Sequence, residues 1–302
     1  MKDVYTLPDL RDWAKATRDC VPPLRLAVIG DPVAHSKSPQ MHNAALESLD
    51  LPVRYTRLHI RPNELDECLE RLPAAGFIGV NCTIPHKAAV LEGIAEPDVI
   101  ATRAGGVNTV IVRPNGTLAG TSTDGPGFAR AVEETFRRPL GSLRVMVVGA
   151  GGGAGRAIAM QCASAGCPSL MLVNRTLEKL EPILDDLAEF YPADRVAAGN
   201  LDEVFLRAGL GMSDLVVNCT SLGMKSSDAS PVLSKFLEPR HLCYDTIYVG
   251  HRTPLLQAAD AAGASGANGL SMLLHQGALA FEHWFSRPAP LEAMRAGLLG
   301  GE

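Results

Sequence analysis

Residues 143–166 read LRVMVVGAGGGAGRAIAMQCASAG, and this stretch decides the fold of the second half of the chain. An apolar run rich in valine leads into a glycine-rich turn and then into a segment with helical periodicity. In such a strand–turn–helix the first glycine permits a tight turn and the second lets backbone N–H groups approach a pyrophosphate, which the helix N-terminus also attracts. No Gly-Lys-Ser/Thr follows, so a P-loop that binds a nucleoside triphosphate is excluded. The stretch predicts a dinucleotide-binding unit, with a simple packing turn as the alternative.

The end of the next predicted strand, SLMLV (169–173), indicates which dinucleotide binds. Sites for NAD place an Asp or Glu there to bind the ribose 2′-hydroxyl, whereas this chain has Asn174, Arg175 and Thr176. A guanidinium can pair in a bidentate manner with a 2′-phosphate, which a carboxylate would repel. We therefore predict NADP (NADPH) as the cofactor, and a solvated loop arginine is the alternative.

The first half of the chain also alternates strands with helices. The predicted strands are LRLAVIG (24–30), VRYTRLHI (53–60) and GFIGVNCTI (76–84), and the predicted helices between them cover 38–49 and 63–76, the second with Asn63 as N-cap. A β-ribbon with a turn at Asn115-Gly116 follows, and residues 271–285 have helical periodicity. The alternation predicts an α/β protein with mostly parallel sheets. Because 302 residues are long for one hydrophobic core, two domains are expected.

Composition excludes several classes of protein. The hydrophobic fraction is 46%, the charged fraction 20% and the net charge -5, with no basic cluster, so neither nucleic-acid nor membrane binding is expected. Seven scattered cysteines and eight histidines without ligand spacing predict reduced thiols and no metal site. The N-terminus lacks the apolar core of a signal peptide, and no apolar run is long enough to span a membrane. A cytoplasmic protein is expected.

Polar side chains follow the predicted strands of the first half. Ser36 and Ser38 come after the first strand, and Asn81, Thr83 and Lys87 stand at the end of the third, where open α/β sheets bind their ligands. Each has a simpler explanation as a helix cap, a turn residue or a surface lysine. Together with Asn108 and Asp124 they provide hydroxyl, amide, ammonium and carboxylate groups, which suit a small polyhydroxylated acid.

A series of motifs in the sequence resembles the shikimate dehydrogenase family. In chain order these are GDPVAHSKSPQMHNAAL, GFIGVNCTIPHK, GGVNTV, TSTDGPG, the glycine turn, NRT, NCTSLGM, DTIYVGHRTPLL and GLSMLLHQGALAFE. The resemblance covers about residues 24–285 and implies NADP-dependent interconversion of 3-dehydroshikimate and shikimate in aromatic amino-acid biosynthesis. It also implies a substrate-binding domain (24–124), a Rossmann NADP-binding domain (125–268) and a cleft between them that closes. An N-terminal extension (1–23) precedes these domains, and the family pattern gives it no role. We further expect C-terminal helices (269–302) that pack back on the substrate domain, and a monomer or homodimer.

The resemblance also implies roles for individual residues. Lys87 would be the catalytic acid/base, with Asp124 as its partner at the substrate hydroxyls. The other substrate-binding residues would be Ser36, Ser38 and Tyr248 near the carboxylate, and Thr83, Asn108 and Gln276 at the ring hydroxyls. The cofactor-binding residues would be Gly149, Ala150, Gly151, Gly152 and Gly153 at the pyrophosphate, Asn174, Arg175, Thr176 and Lys179 at the 2′-phosphate, and Met224, Thr246, Gly269 and Met272 at the nicotinamide.

The chain departs from the family pattern in several places. Cys82, Ser122 and Ser271 replace the usual valine, asparagine and glycine, and the glycine turn is one residue longer, so that Arg156 matches the basic position. Three alternatives stay open: a quinate/shikimate dehydrogenase with relaxed substrate and NAD/NADP use, a non-catalytic sensor of shikimate and NADP, and a two-domain NADP dehydrogenase acting on a folate.

Overall fold

Alternating strands and helices form two α/β units in the computed structural model, which describes residues 2–300. The first unit contains the residues up to Thr123 and those from Gln276 onward, and the second is the continuous segment Asp124–His275. The second division falls inside a helix, Leu270–Phe285. The first unit is therefore built from two separate segments of chain.

Short strands form the two sheets. In chain order they are β1 (Tyr5–Thr6), β2 (Leu24–Gly30), β3 (Arg54–His59), β4 (Gly79–Cys82), β5 (Glu96–Pro97), β6 (Thr109–Val112), β7 (Leu118–Thr121), β8 (Val145–Val148), β9 (Leu170–Val173), β10 (Val196–Gly199), β11 (Leu215–Asn218), β12 (Leu242–Asp245) and β13 (Ser265–Ala267).

The α-helices connect these strands. In chain order they are α1 (Leu7–Arg11), α2 (Trp13–Ala16), α3 (Ser38–Ser48), α4 (Leu65–Arg71), α5 (Lys87–Gly93), α6 (Val99–Ala104), α7 (Asp124–Phe136), α8 (Gly153–Ser164), α9 (Glu181–Ala188), α10 (Glu203–Met212), α11 (Pro254–Ala261), α12 (Leu270–Phe285) and α13 (Leu291–Leu299).

The sheet of the first unit has seven strands in the order β1-β3-β2-β4-β6-β7-β5. The strands β1, β3, β2 and β4 run parallel, and the β6–β7 ribbon adds antiparallel pairs. The ribbon turns at Asn115-Gly116, as predicted, with Gly116 at φ 85°. Along β2 five consecutive residues from Leu26 to Gly30 are buried, which explains why this strand reads as an uninterrupted apolar run.

The sheet of the second unit has six parallel strands in the order β10-β9-β8-β11-β12-β13. This is the order of a dinucleotide-binding Rossmann sheet, in which the strand order reverses between the first and fourth strands. Here that point lies between β8 and β11. All four residues of β8, β9 and β11 are buried, so this sheet is the centre of the unit's core. The predicted fold class, α/β with mostly parallel sheets and a Rossmann-like unit, is confirmed.

One local expectation needs correction, and the N-terminal extension contributes two features that were not expected. Asn63 is not an N-cap, because it lies in a 3-10 turn (Pro62–Glu64) in which the Arg61 N–H donates to the Glu64 carboxylate at 2.8 Å. The N-terminal extension, which has no counterpart in the motif pattern, contributes an edge strand, β1, beside β3. The extension also contributes Trp13, which is buried against Phe77 with ring centroids 5.1 Å apart.

Candidate active site

In the first unit, the loops after the adjacent strands β2 and β4 are joined by hydrogen bonds at the C-terminal ends of the strands. The Thr83 N–H donates to the Ile29 carbonyl at 2.9 Å, and the Asp31 N–H donates to the Ile84 carbonyl at 3.0 Å. One loop leads to Ser36 and Ser38, and the other leads to Lys87. The hydroxyls and the ammonium group therefore follow neighbouring strands at one edge of the sheet, where parallel α/β sheets bind ligands.

The two serines form a hydrogen-bonded turn at the start of α3. The Ser38 N–H donates to the Ser36 Oγ at 3.3 Å, so the Ser36 hydroxyl helps to cap the helix while its proton stays available as a donor. Ser38 is buried, and it contacts the Tyr55 hydroxyl. Burial raises the pKa of Tyr55 well above its usual value, and the hydrogen bond with Ser38 opposes this shift. Both serine side chains are held in place by neighbours.

Lys87 is the first residue of α5 and is half-buried. Pro85 and His86 separate it from the turn after β4, and the His86 Nε2 lies 2.7 Å from the Ile60 carbonyl. The Lys87 carbonyl accepts a hydrogen bond from the Val107 N–H at 2.9 Å, which ties the start of the helix to the segment before Asn108. The Lys87 backbone is therefore anchored by the His86 side chain, which precedes it, and by its own carbonyl.

A buried polar network lies beside these loops and was only partly expected. Asn81 accepts a hydrogen bond from the Tyr55 hydroxyl at 2.7 Å and donates to the Asn108 carbonyl at 3.2 Å and the Thr109 hydroxyl at 3.1 Å. Asn108 in turn accepts from the Thr123 N–H at 2.8 Å. Satisfied networks of buried polar groups are rigid because each lost partner leaves a desolvated group behind. Asn81 thus supports the site from within β4.

Gln276 joins this network from the C-terminal segment of the first unit. Its Oε1 lies 3.4 Å from both the Asn108 Nδ2 and the Thr123 hydroxyl, at the long limit for a hydrogen bond. The amide groups of Asn108 and Gln276 are both buried. The structure therefore brings together Asn108 and Gln276, two predicted substrate-binding residues that are 168 positions apart in the chain.

Behind the network lies His42, which sequence reasoning did not single out. Its ring stacks on Tyr55 with centroids 4.5 Å apart, and Trp284 lies 5.3 Å away. The side chain is fully buried, and within the described residues neither ring nitrogen has a hydrogen bond. Burial lowers the pKa of His42 to about 3, and the nearby Asn81 amide opposes this shift only in part. The ring is therefore neutral at physiological pH.

In the second unit the glycine turn follows β8 and ends where α8 begins. Gly149 has φ 88°, and a Cβ there would lie 2.8 Å from the Thr220 side chain after β11, so only glycine fits. Gly152 and Gly153 are exposed, and a Cβ at Gly153 would meet no protein atom within 4 Å. An open space at the N-terminus of a 12-residue helix suits a pyrophosphate, so these residues fit a dinucleotide.

Asn174 joins the glycine turn to the loop after β9. Its Oδ1 accepts from the Gly151 N–H at 3.3 Å, and its Nδ2 donates to the Thr176 carbonyl at 2.8 Å. The same loop exposes the side chains of Arg175 and Thr176 to solvent, and no carboxylate stands among these three residues. The exposed Lys179 follows in a 3-10 turn. The arrangement fits a cofactor with a phosphate on its adenosine ribose.

Buried hydrogen bonds order the loop after β12. Asp245 accepts from the Thr253 hydroxyl at 2.6 Å, the Asn218 amide at 3.0 Å and the Ile247 N–H at 3.1 Å. Burial raises the pKa of Asp245, and these bonds oppose the shift. The Thr246 hydroxyl donates to the Asn218 carbonyl at 2.8 Å. Because these bonds fix the loop after β12, Thr246 is held beside the end of β11.

Glycine and serine shape the start of α12. A Cβ at Gly269 would collide with the Thr246 carbonyl, so this glycine permits a close approach of the two loops. Ser271, which replaces a glycine of the family pattern, lies 2.8 Å from the Tyr244 hydroxyl through its Oγ. The Met272 N–H donates to the same hydroxyl at 3.0 Å. The substitution at 271 thus adds a hydrogen bond that helps to anchor the helix.

The other predicted site residues also lie in the second unit. Asp124 is buried at the first position of α7, directly after Thr123, whereas Met224 and Tyr248 are exposed in the loops after β11 and β12. Arg156 forms an ion pair with Asp186. Gly125, the second residue of α7, permits close packing of α7 on α8, because a Cβ at this position would lie 2.9 Å from the Ala157 carbonyl.

The remaining features concern metals, cysteines and membranes. Over residues 2–300 no cluster of His, Cys, Asp and Glu could hold a metal ion. All seven cysteines are free thiols, and burial raises the pKa of Cys68 to about 12. No helix in the part of the chain that the structure describes is long and apolar enough to cross a membrane.

Comparison with known proteins places the chain in a family. The family models described as the shikimate dehydrogenase substrate binding domain and the shikimate 5′-dehydrogenase C-terminal domain match residues 28–110 and 269–299. A shikimate dehydrogenase (NADP(+)) from Symbiobacterium thermophilum is 40% identical over 91% of this chain and 93% of its own length. The chain belongs to the shikimate dehydrogenase family. The resemblance in the motifs is thereby confirmed.

Solved structures of the family agree with this assignment. The shikimate 5-dehydrogenase from Thermus thermophilus in complex with NADP(H) and shikimate has a TM-score of 0.81 and 34% identity, covering 91% of this chain and 98% of its own. A quinate dehydrogenase from Corynebacterium glutamicum in complex with NAD has a TM-score of 0.84 and 28% identity, covering 92% and 99%. Both kinds of enzyme therefore share the fold described here.

Proposed function

We propose that the protein is an NADP-dependent shikimate dehydrogenase, which interconverts 3-dehydroshikimate and shikimate as an oxidoreductase acting on a CH–OH group. The observation that carries the proposal is the placement of Ser36, Ser38 and Lys87 after the adjacent strands β2 and β4, in loops joined by two backbone hydrogen bonds. Hydroxyl donors suit a carboxylate, and an ammonium group suits a carbonyl oxygen that gains negative charge.

Bound NADP(H) would supply or accept the hydride. The glycine turn from Gly149 to Gly153 would hold its pyrophosphate, and Arg175 and Thr176, with Asn174 and Lys179, would hold its 2′-phosphate. Thr246, Met224, Gly269 and Met272 would line its nicotinamide. The support for these roles is the open space at Gly153 and the exposed guanidinium after β9.

Lys87 would act as the acid/base of the reaction. In the direction of reduction its ammonium group stabilises and protonates the oxygen on which alkoxide charge develops, and in the direction of oxidation the neutral amine accepts the proton. Asp124 would pair with Lys87 and orient the substrate hydroxyl. Thr83, Asn108 and Gln276 would bind the ring hydroxyls, and the buried network supports this because it fixes both amide side chains.

The substrate carboxylate would bind to Ser36 and Ser38, with Tyr248 nearby. The hydrogen bond from the Ser38 N–H to the Ser36 Oγ supports this role, because it leaves the Ser36 hydroxyl proton to be donated to a ligand. We also propose a cytoplasmic location and a monomeric or homodimeric state, which size-exclusion chromatography with light scattering would check.

The test is the initial rate of dinucleotide reduction with shikimate and with quinate, each with NADP and with NAD. Turnover of shikimate with NADP is expected. Lys87→Ala should lower kcat by about 10²- to 10⁴-fold and leave KM within a few fold, because the lost group acts in the transition state. Lys235→Ala is the matched control, since Lys235 is an exposed lysine paired with Glu203 at 2.6 Å.

The other outcomes would favour a different function. Comparable rates with quinate or with NAD would indicate a quinate/shikimate dehydrogenase, which the likeness to the Corynebacterium glutamicum enzyme keeps as the second candidate. Binding of shikimate and NADP without turnover by any pair would indicate a sensor.

A further inference from the structure

Strand β3 has two side chains whose spacing matches that of the two serines. Tyr55 and Arg57 are two residues apart and therefore lie on the same face of the strand. Tyr55 contacts the Ser38 side chain. Arg57 donates two hydrogen bonds to the Ser36 carbonyl, from Nε at 3.1 Å and from Nη2 at 2.6 Å. One strand thus holds both serines, each through its own residue.

We propose that Arg57 is a positioning residue for the substrate carboxylate, acting by fixing the Ser36 peptide from the side of β3. The inference rests on the proposed function, because it takes Ser36 and Ser38 as the carboxylate-binding pair. No motif of the family resemblance includes Arg57.

The Arg57 guanidinium gives the turn that contains Ser36 a rigid and positively charged support. Two hydrogen bonds from one guanidinium to one carbonyl oxygen restrict the rotation of the Ser36 peptide, and bonds from a charged donor are stronger than neutral ones. Arg57 also donates to the Gln40 side chain in the first turn of α3 at 3.1 Å. The guanidinium therefore joins the serine turn and the helix after it to β3. Its positive charge lies next to the turn that would receive an anion.

The N-terminal extension supports the same strand. Parallel pairing of Tyr5 with Leu58 and of Thr6 with His59 makes β3 an internal strand of the sheet. Burial lowers the pKa of Arg57, and the charge of Asp3 in the extension opposes this shift. The extension thus places a carboxylate close enough to stabilise the charge of Arg57.

The test compares Arg57→Gln with Arg54→Gln as the matched control. Arg54 lies on the same strand and pairs with Glu47 at 3.3 Å. Calorimetric titration with shikimate and with NADP gives the two Kd values, and turnover gives kcat and KM. In Arg57→Gln the Kd and KM for shikimate should rise about tenfold, while kcat and the Kd for NADP change less than twofold. In Arg54→Gln all four values should match the wild type.

Two further measurements separate positioning from folding. Shikimate methyl ester lacks the carboxylate charge, so Arg57→Gln should reduce the preference for shikimate over the ester by about tenfold, which a general loss of structure would not do. Arg57→Lys keeps the charge but has one donor nitrogen, and its KM for shikimate should lie between those of the wild type and Arg57→Gln.

Several results would overturn the inference. These are an unchanged affinity for shikimate in Arg57→Gln, an equal loss for shikimate and its ester, the same loss in Arg54→Gln, or an unfolded Arg57→Gln together with a wild-type KM in Arg57→Lys. If the wild type binds shikimate without turnover, the proposed function fails, and the ratio of Kd values still tests Arg57.

Discussion

His42 predicts a specific loss of stability in acid. Its folded-state pKa is about 3 and its ordinary value is 6.5, because a fully buried imidazole cannot be hydrated when it is charged. Below pH 6.5 the unfolded chain takes up a proton that the folded chain does not. The free energy of unfolding therefore falls as the pH falls, by up to about 1.4 kcal/mol per pH unit until the folded-state pKa is reached.

The size of this effect follows from the two pKa values. Between pH 8 and pH 5 the contribution of His42 amounts to a loss of about 2 kcal/mol. In His42→Gln this contribution disappears. The substitution also removes the stacking on Tyr55, which lowers stability at every pH. The informative quantity is therefore the difference between pH 8 and pH 5 within each protein, in which the packing loss cancels.

Tryptophan fluorescence is the assay that reports this region. The chain has two tryptophans, Trp13 and Trp284, and both belong to the first unit, as does His42. Urea unfolding at pH 8, 6.5 and 5 should give a stability difference that is about 2 kcal/mol smaller in His42→Gln than in the wild type. The control is His283→Gln, at an exposed position of α12. An equal loss in His42→Gln and the wild type would refute the reasoning.

Three further predictions concern the cofactor loops and the network. Gly153→Ala should not lower stability, because no protein atom lies within 4 Å of the added Cβ, but it should raise the KM for NADP about tenfold or more. Gly211→Ala is equally unhindered and also lies in a helix, so it should not lower stability either and should leave the KM for NADP unchanged. Arg175→Gln should raise the KM for NADP by about 10- to 100-fold and that for NAD less than twofold, since only NADP carries the 2′-phosphate that Arg175 would bind. Asn81→Leu should lower the free energy of unfolding by about 2–3 kcal/mol, measured by urea unfolding, because the buried Tyr55 hydroxyl loses its acceptor.

Much of the fold could be predicted because local patterns dominate it. The strand at Leu24–Gly30 and the glycine turn before α8 match their predicted positions, since an apolar run and a turn residue are both visible in a short window. The start of α4 could not be predicted from Asn63, because the preceding Pro62 begins a 3-10 turn first. The two-residue strand β1 carries no periodicity and exists only through pairing with β3.

The residues that carry the chemistry of the site could be predicted from the sequence, whereas the residues that hold them in position could not. Lys87 and the serines follow strand ends in the sequence, so their position alone suggests a function. Asn81 reads as one polar residue in a buried strand, and its partner Tyr55 is 26 positions away. Arg57 likewise reads as a surface arginine until its contact with Ser36, 21 positions earlier, is seen. Contacts between distant segments leave no local pattern.

The divided first unit has a consequence for how the chain folds as it is synthesised. The Trp284 indole donates to the Val110 carbonyl at 2.9 Å across 174 residues, and α13 packs closely on α3, where a Cβ at Gly297 would lie 2.6 Å from Ala44. These contacts must wait until the continuous second unit has left the ribosome. The nascent chain therefore carries an unfinished N-terminal half with exposed apolar surface through most of its synthesis. The half that is translated first is completed last.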